Sequence, residues 1–303
     1  PLFRYYLALM HVVFGNGDQG WMIFNHFLLI SSVLHFHRIL DKGHFNSAFI
    51  MAIFAMIAFV QHYMVPVLFA GFMETAALTF MLYGIIAGLA RCSVANLLLM
   101  PFCLGIASIF RLNYLPVSLF ILVVLLVRNL YKKYDLAQIL KRVVLALTVF
   151  LLMYALVPVH NYVFGNKLVF TTNSATIDAN LVFNPKDLSL LCSSEDVRQK
   201  FLARIAMLNH SCAYMPLNIL LIVWLLIILF AIIRTYKCRS LICIADLALL
   251  LSPLILMFIH LFYLSSRLRL ILSYHFLMMV FVSYWISTLF AGFSQEDDAS
   301  QSI

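Results

Sequence analysis

Apolar runs of about 18 or more residues recur along this sequence from one end to the other. Each is long enough for an α-helix to cross the hydrocarbon core of a bilayer, which takes about 20 residues. The runs lack the strict alternation that a membrane β-barrel requires. Charged residues make up only 11% of the chain, whereas a soluble domain carries about a quarter. The sequence therefore predicts an all-α, polytopic membrane protein.

About nine transmembrane helices can be placed along the chain as a single transmembrane domain over residues 1–303. They cover 21–40, 47–68, 73–91, 93–111, 114–130, 142–160, 216–236, 240–263 and 268–291. The preceding segment, 1–20, is too short to span and ends in the Gly-rich turn "GNGDQG". We expect it to form a juxtamembrane helix that lies in the membrane interface.

Basic residues predict how these helices are oriented. More than half of the Lys and Arg residues lie in alternate turns, near Arg38–Lys42, Arg91, Arg128–Arg142 and Arg234–Arg239. Because cytoplasmic loops are enriched in Lys and Arg, we place these turns in the cytoplasm, together with the acidic tail 292–303. This orienting role accounts for the net charge of +8, so we expect the lipid bilayer as a partner and no nucleic acid.

The same orientation places the long polar segment 161–215 on the outer or lumenal side. Within it, residues 186–209 have the apolar spacing of an amphipathic helix. Cys192 and Cys212 are its two cysteines; they form a disulfide in an oxidising compartment, or remain as two thiols. Asn209 begins an Asn-His-Ser glycosylation sequon, which is expected only on a lumenal loop.

Charged residues in the outer turns have two interpretations. Arg267 and Arg269 open the last predicted span, where a planar guanidinium suits phosphate oxygens; alternatively they extend to lipid headgroups. The same alternatives hold for Arg111. Glu74 is either a favourable charge at a helix N-terminus or a residue that orients a sugar hydroxyl or a metal. A divalent metal is compatible with the sequence, which requires no cofactor.

Asp246, an acid inside a predicted span, is expected to pair with Arg239 or Lys237. The sequence contains no Gly-rich phosphate loop with Lys-Ser/Thr, no zinc-protease motif and no Gly-x-Ser-x-Gly. A nucleotide-driven enzyme is therefore unsupported.

The order of motifs resembles that of the polytopic C-type glycosyltransferases, the GT-C superfamily. A juxtamembrane helix ending in Phe-Gly comes first, and an outer turn later brings an acid into a helix. A segment with Arg and Pro follows, then a span that leads into a Thr- and Asn-rich outer segment, and finally an Arg-rich turn before the last span. In the same order, the corresponding segments of this chain are "PLFRYYLALMHVVFG", "GFMETAALTF", "GIASIFRLNYLPVSLF", "VPVHNYVFGNKLVFTTN" and "SSRLRLILSYHF".

This resemblance implies an integral membrane enzyme that uses a polyprenyl- or dolichyl-phosphate-linked sugar as donor. It implies that Arg267, with Arg269 and Arg111, contacts the lipid phosphate. The catalytic acid of the family lies in a first outer loop before the juxtamembrane helix. Since this chain begins at Pro1, we expect it to lack that loop and the span before it, which leaves Glu74 as a weak candidate for the acid.

The expected function is therefore transfer of a sugar to an acceptor on the outer face of a bacterial inner membrane or the lumenal face of the endoplasmic reticulum. His160, Asn161 and Asn173 are expected to line the mouth of the cavity, where the sixth span meets the polar segment. The alternative is a non-catalytic membrane subunit, or a transporter or flippase for a lipid-linked substrate.

Overall fold

The computed structural model describes residues 2–15, 18–40, 72–90, 93–111, 114–130, 134–165, 215–238, 240–262, 274 and 276–286. Within these ranges the chain is helical apart from caps and short connections, and contains no strand. The helices are α1 (Leu2–Phe14), α2 (Asp18–Leu40), α3 (Phe72–Leu89), α4 (Val94–Phe110), α5 (Leu115–Leu130), α6 (Leu136–Gly165), α7 (Met215–Cys238), α8 (Leu241–Leu251), α9 (Pro253–Phe262) and α10 (Phe276–Ile286). The all-α prediction is confirmed.

Helix boundaries differ from the predicted spans in two places. The sixth predicted span, 142–160, is part of the 30-residue helix α6, which is about 45 Å long. The predicted span 240–263 is divided into α8 and α9 at Ser252, because Pro253 lacks the N–H that would continue the hydrogen-bonded ladder. The predicted second span, 47–68, and the amphipathic helix at 186–209 lie outside the described residues.

Length and composition single out α6 among the described helices. It is the one helix in the described ranges that is long and apolar enough to cross a membrane. Shorter apolar segments occur in α2, α3, α4, α5 and α10 and across α8 and α9.

Contacts between the helices establish their relative directions. The rings of Phe80 and Phe110 stack at one end of the α3–α4 pair, with centroids 5.8 Å apart, whereas Gly88 lies against Met100 nearer the other end. Helices α3 and α4 are therefore antiparallel. The side-chain amide of Asn129, near the end of α5, donates to the carbonyl of Gly88, so α5 runs in the same direction as α3.

Successive helices along the chain continue to alternate in direction up to α8, so that every second helix points the same way. Gly105 of α4 lies against Met153 of α6, and the two helices run parallel. Trp224 Nε1 of α7 donates to the Leu250 carbonyl of α8, and Thr235 Oγ1 donates to the Cys243 carbonyl, so α7 and α8 are antiparallel. The helix termini thus gather at two ends, which we call the Arg111 end and the Arg128 end after the residue that each contains.

The core is formed by helices that are buried on nearly every side. All the described side chains of α10 are buried or nearly so, and most of those of α3 are. Helices that are apolar all round are expected at the centre of a bundle. Large apolar side chains remain exposed on α6 and α7, among them Leu151, Leu152, Leu226 and Leu229. Such contiguous exposed apolar surface is unusual on a water-soluble monomer.

Candidate functional site

Arg111, predicted to bind phosphate, forms the C-terminal cap of α4. Its N–H donates to the Ala107 carbonyl over 3.1 Å, and its own carbonyl accepts from the Tyr114 N–H over 2.9 Å. The residue is half-buried, and these two bonds fix its backbone where α4 gives way to α5. The structure therefore gives the backbone of Arg111 a defined position at this end of the bundle.

Helix α1 packs against the same end of the bundle. The ring of Tyr6 meets Phe110, the neighbour of Arg111, edge to face with centroids 5.4 Å apart. The Tyr6 hydroxyl donates to Oδ1 of Asn25, a buried residue of α2. Burial raises the pKa of Tyr6 to about 12, so the hydroxyl is protonated and donates at neutral pH. Gly15, with φ of 79°, supplies the left-handed residue that ends α1 before α2 begins.

Substitution of Tyr6 by phenylalanine tests how firmly α1 is attached. The change leaves the Asn25 carbonyl oxygen buried without this donor, so we expect a loss of about 1–2 kcal/mol in the free energy of unfolding. Thermal unfolding of the detergent-solubilised protein measures it. Tyr5→Phe is the matched control, because Tyr5 is 51% exposed. Equal melting temperatures for wild type and Tyr6→Phe would contradict the prediction.

His160 lies in the last turns of α6, where an apolar groove opens between α1, α4 and α6. Its ring contacts Tyr5 edge to face, with centroids 5.7 Å apart, and Phe164 at 4.8 Å. The buried Nδ1 of His160 hydrogen-bonds to nothing in the part of the chain that the structure describes. The groove has a volume of about 270 Å³, and its lining residues are Tyr5, Ile109, Leu156, Val157, Val159, His160, Val163 and Phe164.

The other predicted site residues divide into two groups. Asn161, predicted to begin the outer segment, instead lies within α6, because the apolar residues 162–164 continue the helix past it. Glu74 lies in the first turn of α3, which also starts at the Arg111 end. The second group lies outside the described residues: Asn173, Cys192, Asn209, Cys212, Arg267 and Arg269. Among the residues that are described, no cluster of three or more His, Cys, Asp or Glu side chains suits a metal ion.

The Arg128 end contains a polar cluster that the sequence did not suggest. Arg128 Nε of α5 donates to Asp246 Oδ1 of α8 over 2.9 Å, and Arg128 donates to the Tyr284 hydroxyl of α10 over 2.9 Å. Tyr284 in turn donates to the same carboxylate oxygen over 3.0 Å. The prediction that Asp246 pairs with a neighbour in sequence, Lys237 or Arg239, is thus replaced by a partner on another helix.

Two aromatic contacts extend this cluster. Trp285 Nε1 of α10 donates to the Asp246 backbone carbonyl over 3.0 Å, and the Arg234 guanidinium of α7 lies 5.6 Å from the centre of the Trp285 indole. Three helices, α5, α8 and α10, therefore meet at the Asp246 carboxylate, and α7 joins the cluster through the Trp285 ring. One signal of this pairing is present in the sequence, because a lone acid inside an apolar segment requires a partner. It gave no way to choose Arg128, which is 118 residues away.

The two ends of the bundle thus have different chemistry. The Arg111 end combines Arg111, several aromatic rings and an apolar groove, whereas at the Arg128 end the arginine is paired with the Asp246 carboxylate. Neither arrangement can be interpreted through a relative: no protein-family model matches the chain, and no curated protein or solved structure is significantly similar to it.

Proposed function

We propose that this chain is a polytopic membrane protein of about nine spans. We further propose that it acts as an integral membrane glycosyltransferase of the GT-C type, with a polyprenyl- or dolichyl-phosphate-linked sugar as donor. The observation that carries the second proposal is the convergence of separate motif segments at the Arg111 end. Helix α1 contacts both the end of α4, next to Arg111, and the end of α6 at His160, and α3, with Glu74 in its first turn, starts at the same end.

Two features support the membrane part of the proposal. Large apolar side chains cover the outward faces of α6 and α7, where lipid tails would contact them. Neighbouring helices alternate in direction, and the basic residues of the described helices concentrate at the Arg128 end, among them Arg128, Lys141, Arg142 and Arg234. This asymmetry favours the Arg128 end as cytoplasmic and the Arg111 end as periplasmic or lumenal.

The predicted site residues have roles that follow from their chemistry. Arg111, together with Arg267 and Arg269, would neutralise the lipid phosphate as the bond to the sugar breaks, since guanidinium groups stabilise developing charge on phosphate. The general base that deprotonates the acceptor is unassigned, with Glu74 as the candidate within this sequence.

The groove beside His160 suits the hydrocarbon part of such a donor. It is lined almost entirely by apolar side chains, and Ile109, one of them, lies two residues before Arg111 in the same helix. An isoprenoid chain in the groove would therefore have its phosphate within reach of the end that contains Arg111. Burial of the chain contributes about 0.8 kcal/mol for each methylene group removed from water.

Binding of a short-chain polyprenyl phosphate to the detergent-solubilised protein tests the donor site. We expect this ligand to raise the melting temperature of the wild type, and the triple variant Arg111→Gln, Arg267→Gln, Arg269→Gln to bind at least tenfold more weakly. Removal of one charge-assisted hydrogen bond costs about 1.5–3 kcal/mol, which is at least a factor of ten. Lys237→Gln, an exposed cation toward the other end, is the control.

The second arm of the test separates an enzyme from a transporter. Proteoliposomes are supplied with polyprenyl-phosphate-linked radiolabelled hexoses, and both transfer to an acceptor and movement of the lipid across the bilayer are followed. Transfer that depends on the three arginines supports the glycosyltransferase. Equal donor binding by the triple variant and the wild type would overturn the phosphate site, and lipid movement without transfer would favour the transporter.

A further inference from the structure

A second apolar groove lies toward the Arg128 end, between α5 and α6. It extends from Val123 to Leu130 on α5 and from Ile139 to Leu147 on α6, with a volume of about 260 Å³. The nine residues of α6 along it correspond to a depth of about 12 Å. All seven lining side chains are aliphatic, so the groove offers no hydrogen bond to a polar occupant.

A basic residue, Arg142, borders this groove by its position on α6. Arg142 comes one residue before Val143 and three after Ile139, both of which line the groove, so it borders the same helical stripe. Its guanidinium carbon lies 4.0 Å from the centre of the Tyr134 ring. This cation–π contact positions the group without using its N–H donors, which therefore can bind phosphate oxygens.

Asp135, the acid nearest to Arg142 in sequence, has another role. Asp135 Oδ1 accepts from the Gln138 N–H over 2.8 Å, and the Asp135 carbonyl accepts from the Ile139 N–H, which makes Asp135 the N-cap of α6. The carboxylate is thus bonded to the first turn of α6. Lys141, by contrast, lies on a different face of α6 from the groove and is exposed.

We propose that this groove binds one glycerophospholipid of the leaflet at the Arg128 end, with an acyl chain between α5 and α6 and its phosphate on Arg142. An aliphatic groove bordered by an oriented cation matches a molecule with a long apolar chain and an anionic phosphate at its end. Basic pockets between helices on the cytoplasmic side of membrane proteins bind lipid headgroups for this reason. The inference rests on the membrane part of the proposed function and is independent of sugar transfer.

Native mass spectrometry of the full chain, purified in detergent and titrated with dioleoyl phosphatidylglycerol, tests the site with two matched pairs of variants. Arg142→Gln removes the phosphate contact, and Lys141→Gln is its control on the adjacent residue. Val143→Trp fills the groove, and Val144→Trp places the same ring on a face where Val144 is 54% exposed. We expect Arg142→Gln and Val143→Trp each to weaken binding of the first lipid at least tenfold, with both controls within twofold of wild type.

The outcomes distinguish this inference from the proposed function. If Arg142→Gln and Val143→Trp retain the phospholipid as wild type does, the lipid site is overturned and the glycosyltransferase proposal is unaffected. If the chain is recovered as a water-soluble protein without detergent, that result contradicts both the membrane proposal and the lipid site. Loss of polyprenyl phosphate binding with normal phospholipid retention in the Arg111, Arg267 and Arg269 variant supports two separate lipid sites.

Discussion

Asp246→Leu is expected to lower the free energy of unfolding by about 3 kcal/mol, because it leaves the Arg128 guanidinium partly buried without its counter-charge. The two side chains are 22% and 17% exposed, so neither is well solvated once the other is removed. The substitution also removes the acceptor of the Tyr284 hydroxyl. Unfolding of the purified protein in mixed micelles, followed by circular dichroism, measures the loss.

A double-mutant cycle isolates the ion pair from other effects of the change. Arg128→Met combined with Asp246→Leu removes both charges, so the double variant is expected to be more stable than the sum of the single effects predicts, by about 2 kcal/mol. Asp246→Asn keeps an acceptor oxygen and should cost less than Asp246→Leu. Strict additivity of the two single changes would mean that the pair contributes nothing.

Gly105→Val is expected to destabilise the protein by about 2–3 kcal/mol, the usual cost of forcing extra atoms into a packed interface. A Cβ at this position would lie 2.8 Å from the Met153 Cβ and 3.3 Å from the Phe150 carbonyl oxygen. Neither atom is the end of a flexible side chain, so α4 and α6 would have to separate. Chemical unfolding of the solubilised protein is the measurement.

Ala95→Val is the control for this substitution. It adds the same branched side chain to the same helix, at an exposed position in the first turn of α4. We expect a change of less than about 0.5 kcal/mol, as for surface substitutions in general. If both variants unfold alike, then the close approach of α4 to α6 at Gly105 does not limit stability.

Particular residues show which parts of this arrangement were predictable. The helices at Phe72–Leu89, Val94–Phe110 and Leu115–Leu130 match their predicted spans within a few residues, because each is a long apolar run, and Arg91, Arg111 and Arg128 mark where these runs end. The end of α6 was misplaced at residue 160, since Asn161 resembles the start of a loop although the residues after it are apolar. The polar residue at 161 thus suggested a helix end that the continuing backbone hydrogen bonds of α6 do not have.

The sequence predicted which residues belong to the candidate site, but not which residues they contact. Arg111 and His160 were expected near a cavity, and both lie at the same end of the bundle. The contacts of Tyr6 with Phe110 and of Tyr5 with His160 depend on how α1 packs against α4 and α6. Neither the hydrophobic periodicity nor any motif of the sequence predicts that packing. The ion pair of Arg128 with Asp246 has the same cause, because residues 118 positions apart meet only through the packing of complete helices.

The length of α6 also has a consequence for the bilayer around it. Beyond Lys141 and Arg142 the exposed surface of α6 stays largely apolar through Phe164, a stretch of about 33 Å against a hydrocarbon core of about 30 Å. In a membrane thinner than this stretch the helix would tilt or draw thicker lipid around itself, at a cost of a fraction of a kcal/mol for each ångström of mismatch. Since α4 packs along α6, that tilt would be shared with α4. Membrane thickness would then act directly on the end of the bundle that contains Arg111.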